Sequence, residues 1–148
     1  MTKISLGACI ILCLSAAAAP LFLAACSGGG IQITNSGLTC VDDSKECIER
    51  RGAALKAMMT DKNRSWIKDP ATPAAYASGV RLFAYKSRKR ELSCDELAHG
   101  KREADAAPHA LSGAGASGLS PAQISRSTML AAEVSKELAT EMKRRCKA

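Results

Sequence analysis

The sequence predicts an all-α protein: a small bundle of about four helices stapled by disulfides, following a cleaved amino-terminal segment. Apolar residues recur at three-to-four spacing in four separate stretches, and capping residues stand where those stretches begin. No alternating apolar and polar run of useful length occurs in the 148 residues. The first helix is expected to start at Asp43 or Ser44, with Asp43 and Glu46 spaced as in a capping box, and to fade near Asp61 to Asn63. Ile48, Leu55 and Met59 make its apolar stripe, with Cys47, Ala54 and Met58 alongside. The second opens at Thr72 with Pro73 in the first helical position, where a missing N–H costs nothing. It carries Tyr76, Val80, Phe83 and Ala84 inward and runs out in Lys86-Ser87-Arg88-Lys89-Arg90, cations that suit a helix carboxyl end. The third starts with the box Ser93-Cys94-Asp95-Glu96, has a weak face of Leu97, Ala98 and Ala104, and should stop at Pro108. Residues 108–119 are small and read as a mobile surface loop. Ser120, Pro121 and Gln123 then combine a cap, a first-turn proline and a completed box. Ile124, Ala131, Val134, Leu138, Met142 and Cys146, with Leu130 beside them, make this last helix the spine of the bundle.

Ahead of the bundle, one basic residue (Lys3) precedes an almost uninterrupted apolar stretch from Ile4, which ends in Leu23-Ala24-Ala25-Cys26 and is followed by Ser27-Gly28-Gly29-Gly30. That is the order of parts in an export signal. The motif resembles the lipobox of bacterial lipoproteins. The resemblance covers the first 30 residues and implies that the Cys26 thiol receives a diacylglycerol, that cleavage falls immediately before it, and that Cys26 becomes an acylated first residue. It implies, through Ser27, an outer-membrane address facing the periplasm wherever the enteric sorting rule operates. The expected organisation is a signal peptide over 1–25, a flexible tether over 26–39 and one helical domain over 40–148. Two other fates compete: cleavage after Ala17-Ala18-Ala19, and retention of the apolar segment as a span, for which roughly 20 residues suffice. A chance match inside a buried apolar helix is the bland alternative. A retained span would need no small-residue box ending in cysteine, and cysteine arithmetic separates simple secretion from lipidation. Simple secretion keeps Cys26, Cys40, Cys47, Cys94 and Cys146, an odd number, whereas lipidation of Cys26 leaves an even four.

Removing the signal segment takes Lys3 from the 21 basic residues and leaves 20 against 14 acids, a formal charge of +6. Export and the lack of aromatics among the basic runs argue against nucleic acid as a partner. The four domain cysteines contain no Cys-x-x-Cys, so structural disulfides are expected rather than a metal or redox site, and no cofactor is implied. If four helices ran alternately up and down, all four sulfurs would converge at one pole. Three connectivities remain open, of which Cys47 with Cys94 and Cys40 with Cys146 is favoured. The same pole would collect Lys86, Arg88, Lys89, Arg90, Lys143, Arg144, Arg145 and Lys147, and the tether would enter there. Such a pole suits anionic lipid headgroups or peptidoglycan carboxylates, or consists simply of solvated helix ends. His99 and His109 read as surface histidines, and Trp66 and Tyr76 as core rather than as walls of a groove. No nucleophile elbow is visible. The expected function is a non-enzymatic cell-envelope lipoprotein, a structural or interaction module whose partners are the membrane through the Cys26 lipid and headgroups, peptidoglycan or an envelope protein. The alternatives are a peptidoglycan-directed enzyme or enzyme regulator, and a periplasmic ligand-binding module with 108–119 as a lid.

Overall fold

The computed structural model describes residues 35–146, and every regular element among them is helical. The order is α1 (Asn35–Leu38), α2 (Lys45–Thr60), α3 (Pro73–Ser78), α4 (Val80–Arg88), α5 (Cys94–Ala110) and α6 (Pro121–Arg145), with short 3-10 turns at Ser65–Ile67 and Gly113–Ala116. The caps read from the sequence set the starts. Ser44, Thr72, Ser93 and Ser120 each accept a backbone N–H three residues on, and the boxes at Ser93/Glu96 and Ser120/Gln123 are complete in both directions. Asp43 is not the cap of α2; its carboxylate faces Arg51 and Arg126 instead.

Four expectations are corrected. Part of the expected tether, Asn35–Leu38, is a helical turn packed on α2. The buried stripe of α2 is Cys47, Ala54 and Met58, while Ile48 and Met59 are exposed, so the inward face lies one residue away from the expected one. The second helix is interrupted at Gly79, whose φ of 70° belongs to the left-handed region. That break turns Phe83 to a surface position, 45% exposed, and buries Arg81, Tyr85 and Arg88. Finally, Pro108 does not stop α5. Proline removes one bond to the carbonyl four residues back, but only two helical residues follow it, and burial of Ala104, Ala107 and Leu111 holds this end against the core. Residues 113–116 form a 3-10 turn lying against Pro73 and Ala74.

The larger difference is in helix direction. Asp61 ends α2 by accepting hydrogen bonds from the N–H groups of Asn63 and Ser65 and from the Ser65 hydroxyl. Residues 61–72 then carry the chain back along the bundle before Thr72 starts a new helix, so α2 and α4 run parallel rather than antiparallel. The contacts agree. The end of α4 meets the end of α2 where Arg88 donates to the carbonyls of Met58 and Asp61. The start of α2 meets the start of α6 where Gln123 donates to the Val41 carbonyl. Parallel α4 and α6 are joined by Lys86 to Glu133 at 2.6 Å, and α5 returns antiparallel to both. Gly100 is what lets α5 approach α4, since a Cβ there would lie 2.5 Å from the Tyr85 ring. The core comprises Met58, Trp66, Leu82, Tyr85, Leu92, Leu97, Val134 and Leu138, all at most 1% exposed.

Candidate functional site

The parallel course of α2 decides the cysteine pairing. Cys40 and Cys47 lie at the pole where α6 begins, and Cys94 and Cys146 at the pole where it ends. The disulfides are therefore Cys40–Cys47 and Cys94–Cys146, with Cα separations of 5.4 and 5.7 Å, not the crossed pairing favoured from the sequence. A 25-residue α6 separates the poles by roughly 37 Å at 1.5 Å per residue. Asp42 lies close enough to Cys40 and Cys47 for the three ligand atoms to fall within 4.8 Å of one another. Sulfurs joined in a disulfide offer no thiolate to a metal, and the Asp42 carboxylate accepts the Ser44 N–H at 2.8 Å.

The basic helix ends of α4 and α6 do meet, but acids from α6 and the α4–α5 turn occupy most of them. Lys86 pairs with Glu133 and Glu137, Lys89 with Glu137, Arg88 with Glu91, and Arg144 and Arg145 with Glu141. Arg145 also donates to the carbonyls of Leu92 and Lys89, closing the pole. The hydrogen bond from Lys89, together with Lys86, outweighs burial and holds the Glu137 carboxyl below its ordinary range. Arg90 and Lys143 pair with no acid among the described residues, and Lys147 lies outside them, as does Cys26 with the whole lipobox. The described chain begins beside the middle of α2, where Gly37 packs on Arg50 and Ala54, and Cys40 lies at the opposite pole, so this part of the expected tether is not among these cations, contrary to expectation.

The most unusual chemistry lies in the middle of the bundle, where the sequence suggested only core. Arg81 and Glu103, each 3% exposed in its side chain, form a bidentate pair with N–H···O distances of 2.7 and 2.8 Å. Arg81 also donates to the Trp66 carbonyl at 2.7 Å and lies 5.9 Å from the centre of the Trp66 ring. The Tyr85 hydroxyl donates to Glu103 at 3.1 Å and lies 3.1 Å from His99 Nδ1, so His99, 44% exposed in its side chain, joins this network from the surface. Burial first, and the Glu103 charge second, push the Tyr85 phenol far above its ordinary range. A tyrosine so enclosed and so reluctant to ionise holds the network together but cannot reach a substrate. A sequence signal for the pair exists. Arg81, Tyr85 and Arg88 share one face of α4, and Glu103 stands in the buried stripe of α5 between Gly100 and Ala107.

Arg81 and Trp66 also form the floor of a cavity of about 460 Å³, walled by Leu38, Thr39, Ala75 and Pro70 and rimmed by Asp69 and Thr72. The Trp66 indole N–H is buried and has no acceptor among the described residues. Burying such a donor unpaired costs about 1–3 kcal/mol. Comparison with protein families, curated proteins and solved structures returned no match. Among the described residues no helix is long and apolar enough to cross a membrane.

Proposed function

We propose that this protein is a non-enzymatic cell-envelope lipoprotein, an interaction module held to a membrane by acylation of Cys26. The observation that carries the proposal is the use of the cysteines. All four that follow residue 39 are consumed in two disulfides. That leaves Cys26 as the one cysteine beyond the apolar segment outside these two disulfides, and it stands directly after Leu23-Ala24-Ala25. Structural disulfides belong to oxidising compartments, which agrees with an exported chain, and an unpaired thiol there needs a chemical fate. Lipidation supplies one.

The geometry also bears on what the module presents. Nine residues lead from Cys26 to Asn35, a covalent reach of at most about 30 Å, and the described chain begins beside the middle of α2 rather than among Arg90 and Lys143. The short tether keeps the module close to the anchoring bilayer, where its surface is offered to a partner in the envelope, peptidoglycan or another protein. Metabolic labelling with a fatty acid, followed by mass spectrometry of the amino terminus, tests the anchoring. Acyl groups on Cys26 and their loss with unprocessed precursor in Cys26→Ser are expected. An unlabelled wild-type chain, or a mature terminus elsewhere, would refute the proposal.

A further inference from the structure

Resting on the anchoring proposed for Cys26, we infer that the face formed by α2, α4 and α6 docks on the anionic surface of the bilayer that holds the lipid. Among the described residues the large apolar side chains left exposed are Ile48, Met59, Phe83 and Met129, at 52, 39, 45 and 70%. All four stand on those three helices. α4 lies between α2 and α6 and touches both, and its outward stripe of Phe83, Ser87 and Arg90 is the floor of a groove between them. On α2, Ile48, Gly52, Leu55 and Met59 recur at steps of four and three residues, which sets them in one row along the wall. Leu55, Phe83 and Leu130 meet around an apolar hollow of about 330 Å³. α5 packs on the other side of α4, where Gly100 meets the ring of Tyr85, and it exposes no large apolar side chain.

Charge decides what such a face can meet. Glu133 and Glu137 are held by Lys86 and Lys89, and Asp43 by Arg51 and Arg126. Arg90 and Lys136 are exposed along the same groove and pair with no acid among the described residues, so the face carries an excess of positive charge. Apolar side chains set among cations sink shallowly into the headgroup region of an anionic leaflet. The tether favours the bilayer as the occupant. Asn35 begins the described chain on the opposite flank of α2, where Gly37 packs on Arg50 and Ala54, and the reach of about 30 Å from Cys26 exceeds the width of a helix, about 10–12 Å. The lipid can therefore enter the leaflet beneath this face, and the tether keeps the face at high local concentration against the surface.

The test reconstitutes the protein, purified from membranes with its native amino terminus, into vesicles of phosphatidylcholine and phosphatidylglycerol whose acyl chains carry bromine, a quencher of any tryptophan that touches it. Trp66 is the one tryptophan of the chain and is 1% exposed, so the wild type gives the background. Phe83→Trp should be quenched several-fold more than that background, and Ala106→Trp, on the exposed side of α5, should not. Replacing Arg90 and Lys136 by glutamate in the Phe83→Trp chain should remove most of the quenching, as should vesicles of phosphatidylcholine alone, with the circular dichroism unchanged because neither side chain is bonded within the fold. Equal quenching at 83 and 106, or quenching undiminished by the two glutamates, would overturn the docking. So would an unquenched tryptophan at 83, the result given by a second copy or another protein seated on this face. Flotation of the same vesicles reads the anchor separately. A wild-type chain that fails to float refutes the anchoring and the docking with it, whereas a chain that floats with position 83 unquenched refutes the docking alone.

Discussion

Replacing Glu103 by leucine should be among the most damaging single changes available in this domain, and replacing Arg81 by methionine at the same time should reverse most of the damage. The pair is 3% exposed on both sides, so Glu103→Leu leaves a guanidinium in the interior with only the Trp66 carbonyl as a partner. Breaking a buried pair from one side costs about 3–5 kcal/mol, whereas exchanging both members for apolar residues of similar volume is often neutral or stabilising by 1–4 kcal/mol. The Tyr85 hydroxyl loses an acceptor in both variants but keeps His99 Nδ1 within 3.1 Å, so that loss should nearly cancel between them. A domain of this size has about 5–15 kcal/mol in total, so the single variant should sit near the edge of folding. The assay is urea denaturation of oxidised protein followed by Trp66 fluorescence and far-ultraviolet circular dichroism. With a slope of about 2 kcal/mol/M, a loss of about 4 kcal/mol lowers the midpoint by about 2 M. The reasoning would be refuted if Glu103→Leu moved the midpoint by less than about 0.5 M, or if the double variant were less stable than the single.

Two further outcomes follow from the same geometry. The Cys94–Cys146 bridge spans 52 positions and Cys40–Cys47 spans 7, so loop entropy assigns roughly 4 and 2.5 kcal/mol to them; paired cysteine-to-alanine variants compared by thermal unfolding should rank in that order. Both tyrosines are held neutral, burial acting first and Glu103 second, so each folded-state pKa lies above the unfolded value of 10. Their contribution to stability is therefore complete below pH 10 and is lost as the pH rises past it. Absorbance at 295 nm should show the Tyr85 phenol un-ionised in the native protein at pH 10.5, and ionising when base unfolds the chain.

Helix starts were legible from the sequence alone because a cap is a local device. Ser93 with Glu96, and Ser120 with Pro121 and Gln123, satisfy their own first-turn N–H groups in any tertiary setting, and the all-α class follows from such signals together with the 3.6-residue period. The number of cysteines available for pairing was likewise a matter of counting. Direction, phase and partnership were not. Residues 61–72 have no period to read, yet by carrying the chain back they make α2 parallel to α4 and send Cys40 and Cys47 to one pole and Cys94 and Cys146 to the other. Ile48 and Cys47 are adjacent and both apolar, and only the position of α4 and α1 beside α2 decides that Cys47 turns inward. Arg81 looks like one more cation on a basic chain until α5 places Glu103 against it from 22 residues away. A charge can be buried only when its counter-charge arrives with it, and that meeting is made by packing rather than by any residue's own propensity.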